Sequence, residues 1–381
     1  MNKQKICIIG DGLTGLTAAA ILSKQDICID LYCGNKQKNK SLDNRTTAIS
    51  ESNLQYLKNN LSLTKTSFFW SCKKISLFFE DKKKITNFLN FDEKNKNYIN
   101  IFQNKDLKKK LDKIILQKKN IRLIKKNIEG VDSENGFITS DKKKIFYDLI
   151  ILSVGGFSKF YTKIEGGRSI KKKYEELAIT TIVKHNAKIK NASQFFLKEG
   201  PLVILPFKKS YFSTVWSISS NYFNINEKNL KKILIEKLRT LLHTKRIKTV
   251  EHIQSYPINL NLKTKYFKKN ILILGDGLHM VHPIAGQGFN LVLRDIKTLA
   301  ELMSKTSKLG LLFKDSFLLK DFYNTRKPEN NLFGLGINLT NLFFRDNKYF
   351  STFKRGILNN INNFNFIKKI SQSVADKGLS H

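Results

Sequence analysis

The chain has 381 residues with 41% hydrophobic and 11% aromatic side chains, a composition that excludes a disordered or collagen-like polymer. Its formal charge is +37, yet only nine of its 68 basic residues are arginine, and the lysines run through the whole length. A nucleic-acid module concentrates arginine and interleaves aromatics on one face, so the charge reads as solvated surface, with no nucleic-acid partner and at most an attraction to anionic lipid. At ~150 residues per domain, two to three domains are expected. No apolar run reaches the ~18 residues of a membrane span. The basic start is followed by no cleavage signal, so no signal peptide is expected. The four cysteines, Cys7, Cys28, Cys33 and Cys72, show neither CxxC pairs nor metal spacing, which predicts a reduced, cytoplasmic chain without a metal site.

Residues 5–9 read as a short buried strand, residues 10–15 as a glycine turn, residues 16–24 as an alanine-rich helix and residues 27–33 as a second strand. Such a unit predicts a parallel α/β sheet. A helix follows at 51–61, short strands between 68 and 100, a helix at 106–116 and a strand at 121–124. The apolar run 145–154 carries the signature of a strand buried on both faces. β-like runs at 178–183, 202–205 and 212–218, with a helix at 229–242, make 175–265 a separate α+β region. Another buried strand is expected at 270–274. Apolar residues at 289, 292, 293, 296, 299, 300 and 303 then fall at helical spacing. The tail from about Asp321 is helical. The expected architecture is α/β: a Rossmann-type domain from 1–68, 100–168 and 266–320, an inserted, mostly antiparallel α+β domain from 69–99 and 169–265, and a helical region over 321–381.

The turn Gly10-Asp11-Gly12-Leu13-Thr14-Gly15 sits between a strand and a helix, the context in which a helix N-terminus holds a pyrophosphate. The second strand of such a unit ends in a carboxylate for the adenosine ribose. Here that position is Cys33, and Asp30 lies nearby on the wrong side of the pleat.

Near the other end stands Gly275-Asp276-Gly277-Leu278-His279-Met280-Val281-His282-Pro283-Ile284-Ala285-Gly286-Gln287-Gly288-Phe289-Asn290-Leu291-Val292-Leu293-Arg294-Asp295. Asp276 follows a buried strand, where a carboxylate accepts from hydroxyls or caps a turn. Gly286 and Gly288 let backbone approach a flat ring, and the helix from Phe289 aims its positive end at the same place. For Arg294 the alternative to a role in the site is a surface ion pair.

This stretch resembles the FAD-dependent aromatic hydroxylases of ubiquinone biosynthesis, relatives of para-hydroxybenzoate hydroxylase. Further matches lie at Asp43–Ala48, Tyr174–Ala178, Gly200–Pro206 and Tyr256-Pro257, the last resembling the return to the FAD domain. The resemblance implies a bound FAD, with NAD(P)H as co-substrate. The hydroxyl would pass from O2, through a flavin C4a-hydroperoxide, to a polyprenylated phenol or quinol precursor of ubiquinone. Gly10, Gly12, Leu13, Thr14, Gly15 and Cys33 would hold the adenosine half. Arg45 would reach the diphosphate or ribityl chain, and Asp276 the ribityl hydroxyls. Pro283, Gly286, Gln287, Gly288, Phe289 and Asn290 would border the flavin ring. His282 and Pro283 would pack beside it, with no catalytic side chain assigned. The hydrophobic aromatic substrate would lie against Leu202, Leu205, Pro206 and Val215.

Two positions depart from the family pattern: Cys33, and Gly155 where the family carries an aspartate. Both favour, as an alternative, a flavin-binding assembly subunit without NAD(P)H turnover. The charge alone suggests a basic lipid- or RNA-binding protein without catalysis. The apolar run Leu332–Phe344, followed by Arg345, Lys348, Lys354 and Arg355, reads either as core or as an interfacial helix. The interfacial reading puts the protein at the inner face of a membrane or in a ubiquinone-synthesis complex. His243, His252 and His279 receive no role.

Overall fold

The apolar run Gln4–Ile9 becomes a central strand of a six-stranded sheet in the computed structural model, which describes residues 3–34, 43, 45–63, 67–81, 84–94, 96–165, 169–219, 227–315, 317–344, 356 and 365–378. The strand order is Phe267–Lys268, Ile271–Ile273, Leu149–Leu152, Gln4–Ile9, Ile27–Tyr32, Ile121–Ile124. Every pairing is parallel except that of Phe267–Lys268. All four residues of Leu149–Leu152 are fully buried, as an unbroken apolar run in a covered parallel sheet requires. The predicted strand 145–154 is in fact two. Lys143–Phe146 closes an antiparallel meander with Phe137–Ser140 and Gly130–Asp132, and the chain turns at Tyr147–Asp148 before entering the parallel sheet. Asp148 pins that turn by accepting the Lys5 backbone N–H at 2.7 Å. Helix Leu13–Leu22 contacts helices Asn104–Leu116 and Gly288–Lys308.

A second, mostly antiparallel sheet runs His279–Met280, Gln254–Lys263, Ser169–His185, Tyr211–Ser219, Gly200–Lys208, Ala192–Leu197, Ile75–Asp81, Lys84–Phe91. Helix Glu227–Leu241 covers one face through Leu230, Leu234 and Leu238, an i, i+4, i+8 stripe. A small sheet of Thr46–Ser50, Ile99–Gln103 and Trp70–Cys72 meets the other face. Tyr256 and Pro257 lie inside the strand Gln254–Lys263, so the chain re-enters the parallel sheet only beyond Lys263.

Helix Leu318–Phe344 packs on this sheet. Gly334 is seated so closely that a β-carbon there would lie 2.6 Å from Leu262, and the Phe344 ring stacks on Phe196 with centroids 3.6 Å apart. The run 332–344 therefore serves as core along one face. Its opposite face exposes Leu332, Leu335, Leu339 and Leu342. Arg345, Lys348, Lys354 and Arg355 lie outside the described residues. No helix among the described residues is long and apolar enough to cross a membrane.

Candidate functional site

Three chain turns meet at the C-terminal ends of the parallel strands, where open α/β sheets bind ligands. They are Gly10–Gly15, Ser153–Gly155 and Gly275–Gly277. Gly10 adopts φ +121°, and a β-carbon on it would lie 2.4 Å from the Ser153 carbonyl oxygen. A β-carbon on Gly15 would collide with the Gly10 carbonyl oxygen. These two glycines close the turn on itself and on its neighbour strand. Gly12 differs: a β-carbon there meets nothing within 4 Å, so the turn presents bare backbone to open space. Thr14 packs instead under Gly275, and Leu13 is only partly buried.

Helix Leu13–Leu22 starts at Gly12 with no side-chain cap and no acidic residue in its first turn. Helix Gly288–Lys308 starts the same way at Gln287. Two uncapped N-termini carry unsatisfied N–H groups and partial positive charge, and both favour anionic or electron-rich ligand atoms. A cradle of this kind fits a flavin dinucleotide, with the diphosphate at the first helix and the ring edge at the second.

The second cradle is held from behind by Asn290. Its side-chain oxygen accepts from Ser50 N–H and from the Asn53 amide (2.8 Å), and its amide donates to the carbonyls of Ala48 and Gly286 at 3.2 and 3.1 Å. Gly286 has φ +61° and faces Ala48, and a β-carbon on Gly288 would meet nothing within 4 Å. Pro283 leads into the turn Ile284–Gly286, Gln287 is buried, and Phe289 packs edge-on to Phe102. Sequence reading expects Asn290 beside the ring; the structure adds that its side chain ties Thr46–Ser50 to the helix.

Across the crevice, Arg45 donates to both carboxylate oxygens of Asp43 at 2.8 Å, and its guanidinium sits over the Tyr256 ring at 5.1 Å. The Asp43 hydrogen bonds, against burial, hold the Arg45 pKa above its ordinary value, and the Asp276 carboxylate adds to the effect. Asp276 itself is exposed in the turn Gly275–Gly277, its side chain free of a capping role. Cys33 directly follows the strand Ile27–Tyr32 and donates its N–H to Ile124 at 2.9 Å, which places its half-buried thiol at the strand end. Asp30 points the other way. It accepts two bonds from Arg122 and one from Tyr147 and is closed to a ribose.

Of the four residues assigned to substrate, Leu205 and Val215 lie on the sheet face toward the small sheet and Ala48. Leu205 packs with Ala48, Cys72 and Ile101, and Val215 pairs with Val203, which flanks the same cluster. Leu202 and Pro206 are corrections. Leu202 is fully buried with Trp216 and Leu234 beneath helix Glu227–Leu241, and Pro206 pairs with Phe212 of that same cluster. Strand alternation assigns them to the far face. Val203 lies instead on the same face as Leu205 and Val215, toward the small sheet and Ala48.

Arg294 is not a surface ion pair. It is buried, pairs with Glu329 at 3.3 Å and donates to the Ala375 carbonyl of helix Asn365–Lys377 at 2.8 Å. Glu329 also binds Arg326, which donates to Asp295 at 2.7 Å, and Asp295 bonds to His279 at 2.6 Å. Burial opposes the Asp295 charge, but His279 and Arg326 outweigh it and hold its pKa down. His279 thus belongs to a buried charge chain that sequence reading did not assign. Tyr161 was also missed. Its hydroxyl donates to the Gly155 carbonyl at 2.7 Å and its ring packs under Gly277, stapling two turns of the crevice. No local pattern marks it, because its partners come from elsewhere in the fold.

A squalene epoxidase family model matches residues 212–371. The chain is 28% identical over 212 residues to the ubiquinone biosynthesis monooxygenase COQ6 of Dictyostelium discoideum, covering 44% of this chain and 41% of that protein. It is 31% identical over 166 residues to the ubiquinone hydroxylase UbiL of Rhodospirillum rubrum, covering 42% and 38%. The matched part thus spans about two fifths of these relatives' length. Among solved structures, p-nitrophenol 4-monooxygenase PnpA of Pseudomonas putida superposes with a TM-score of 0.77 at 14% identity, covering 97% of this chain and 98% of that one. PqsL of Pseudomonas aeruginosa superposes at 0.75 with 15% identity, covering 92% and 99%. The fold is that of the FAD-dependent monooxygenases, and the resemblance carried by His282–Asp295 is borne out.

Proposed function

We propose that this protein is a flavoprotein monooxygenase that hydroxylates the ring of a polyprenylated phenol or quinol in ubiquinone biosynthesis, with FAD as cofactor and NAD(P)H and O2 as co-substrates. The observation that carries the reading is the pair of uncapped helix N-termini, at Gly12 and Gln287, opening onto one crevice whose glycines leave room for a ligand. Bound FAD would supply the redox chemistry, taking reducing equivalents from NAD(P)H and activating O2. The chain's own residues bind and orient. The first helix holds the diphosphate, Arg45 and Asp276 hold the linker, and the Ile284–Asn290 segment borders the ring. Val203, Leu205 and Val215 give the aromatic substrate an apolar wall that excludes water.

An absorption spectrum of the purified protein with added FAD tests this. Stoichiometric flavin bands, bleached by NAD(P)H, and a product heavier by one oxygen are expected. Absence of flavin binding overturns the reading. Binding without bleaching moves the protein to the assembly-subunit alternative that Cys33 and Gly155 suggest. Asp276→Ala is expected to release FAD on dilution.

We further propose peripheral contact with the inner face of a membrane through Leu332, Leu335, Leu339 and Leu342, where a polyprenyl substrate would partition. The surplus of lysine supports it, since each cation adds about 1 kcal/mol at an anionic surface. Co-sedimentation with anionic liposomes that falls with salt, and with Leu335→Glu/Leu339→Glu, is the expected result. A protein that stays in the supernatant at low salt overturns it.

A further inference from the structure

The long strand Ser169–His185 keeps two registers with Gln254–Lys263. Lys173 stands opposite Asn259 and Leu177 opposite Pro257. Between them, Tyr174, Glu175 and Glu176 face the single residue Ile258. The cause is Pro257, which has no N–H to give the ladder and is tolerated in a sheet at a bulge. The bulge opens the ladder here, and strand alternation keeps Tyr174 and Glu176 together on the buried face while Lys173 and Glu175 stay exposed.

Both buried side chains touch His282, which is itself fully buried, while the Tyr174 hydroxyl goes on to donate to the Asn338 side-chain oxygen at 2.7 Å. The Tyr174 ring meets the imidazole edge-on with centroids 5.3 Å apart, and a Glu176 carboxylate oxygen lies 2.9 Å from Nε2. On the other side of the ring, Nδ1 accepts the Ile284 backbone N–H at 3.3 Å. With Nδ1 used as an acceptor, the ring proton resides on Nε2 and is donated to Glu176. Ile284 opens the turn that carries Gly286 to the crevice wall. A carboxylate on the antiparallel sheet thereby sets the orientation of a backbone turn on the cofactor side.

Resting on the flavin reading above, we propose that Glu176 is a positioning residue: through His282 and the Ile284 N–H it fixes the turn against which the flavin ring lies. Its role is geometric, so an acceptor at the right reach suffices and a charge does not.

Three variants separate these requirements. E176Q keeps the acceptor, E176D keeps the charge but falls short, and E176L removes both. In the apo protein, 15N shifts of His282 should report the Nε2-protonated tautomer in wild type and E176Q and its loss in E176D and E176L. FAD affinity and the visible circular dichroism of bound flavin should stay near wild type in E176Q. Affinity should fall about tenfold in E176D and E176L, the fold-change that one lost hydrogen bond carries. If E176L does not fold, E176D makes the same test. Unchanged His282 shifts in E176D, or E176Q failing as badly as E176D, overturns the proposal. Wild-type protein that shows the tautomer but takes up no FAD overturns the functional reading and, with it, the flavin half of this one.

Discussion

The side-chain oxygen of Asn290 accepts the backbone N–H of Ser50 at 2.9 Å, joining residues 240 positions apart in sequence. This bond ties the strand beside the crevice to the helix that opens on it. Asn290→Ala removes that acceptor and also strands the Ala48 and Gly286 carbonyls. A loss of about 1–3 kcal/mol in folding stability is expected, the cost of leaving buried polar groups unpaired. FAD affinity should fall with it. Urea unfolding read beside a flavin-fluorescence titration checks both, and a variant as stable as wild type would show that the bridge contributes nothing.

Acid should weaken the protein partly through Asp30. Burial raises its pKa, but hydrogen bonds from Arg122 and Tyr147 and the charge of Lys5 outweigh burial and leave it below the ordinary value. A carboxylate with a depressed folded pKa contributes stability that is present above its unfolded pKa and is lost as pH falls through the folded one. Asp30→Asn should therefore cost about 1–3 kcal/mol at neutral pH, and the gap to wild type should close in strong acid. Denaturation midpoints taken stepwise from neutral pH downward give the answer; a gap independent of pH would assign the stabilisation to something else.

Cys33→Glu restores an acceptor at the end of the strand Ile27–Tyr32, where the thiol is half-buried. The variant should bind FAD about tenfold more tightly, the equivalent of one charge-assisted hydrogen bond. Unchanged or weaker binding would mean that the adenosine ribose is held by other groups.

The two faces of the strand Gly200–Lys208 should respond differently to substitution. Val203→Trp crowds the proposed apolar wall and should suppress hydroxylation while FAD still binds. Leu202→Ala opens a cavity beneath helix Glu227–Leu241 and should cost about 2–5 kcal/mol in stability. Product assays and thermal melts on the pair distinguish the faces, and a Val203→Trp enzyme with full turnover would move the substrate elsewhere.

What the sequence reveals here is what is local. The strand, the Gly10–Gly15 turn and its helix are contiguous, so pattern and glycine chemistry are read together. The same holds for Gly275–Asn290, where ring-side glycines and a helix start share one stretch. The face of Leu202 is not local: it depends on which strand face helix Glu227–Leu241 covers, a choice made by a segment more than twenty residues away. The bulge at Tyr174–Glu176 is further out of reach, because its cause, Pro257, lies on the neighbouring strand. Arg294 looks like a helix-surface arginine until Glu329 and the carbonyls of Asn365–Lys377 are brought over it.

Helix Asn365–Lys377 has a consequence for how the protein is made. Asp376 accepts the backbone N–H of Ser52 at 2.9 Å and takes the hydroxyls of Ser50 and Ser52, so the strand that Asn290 steadies has its second support, through Ser50, 326 residues downstream. At about 5–20 residues per second, a ribosome takes about 16–65 s to bridge that interval. During that time a nascent chain holds the Rossmann turn but an unsupported crevice. That wall of the crevice gains its second support only once residue 376 has been made.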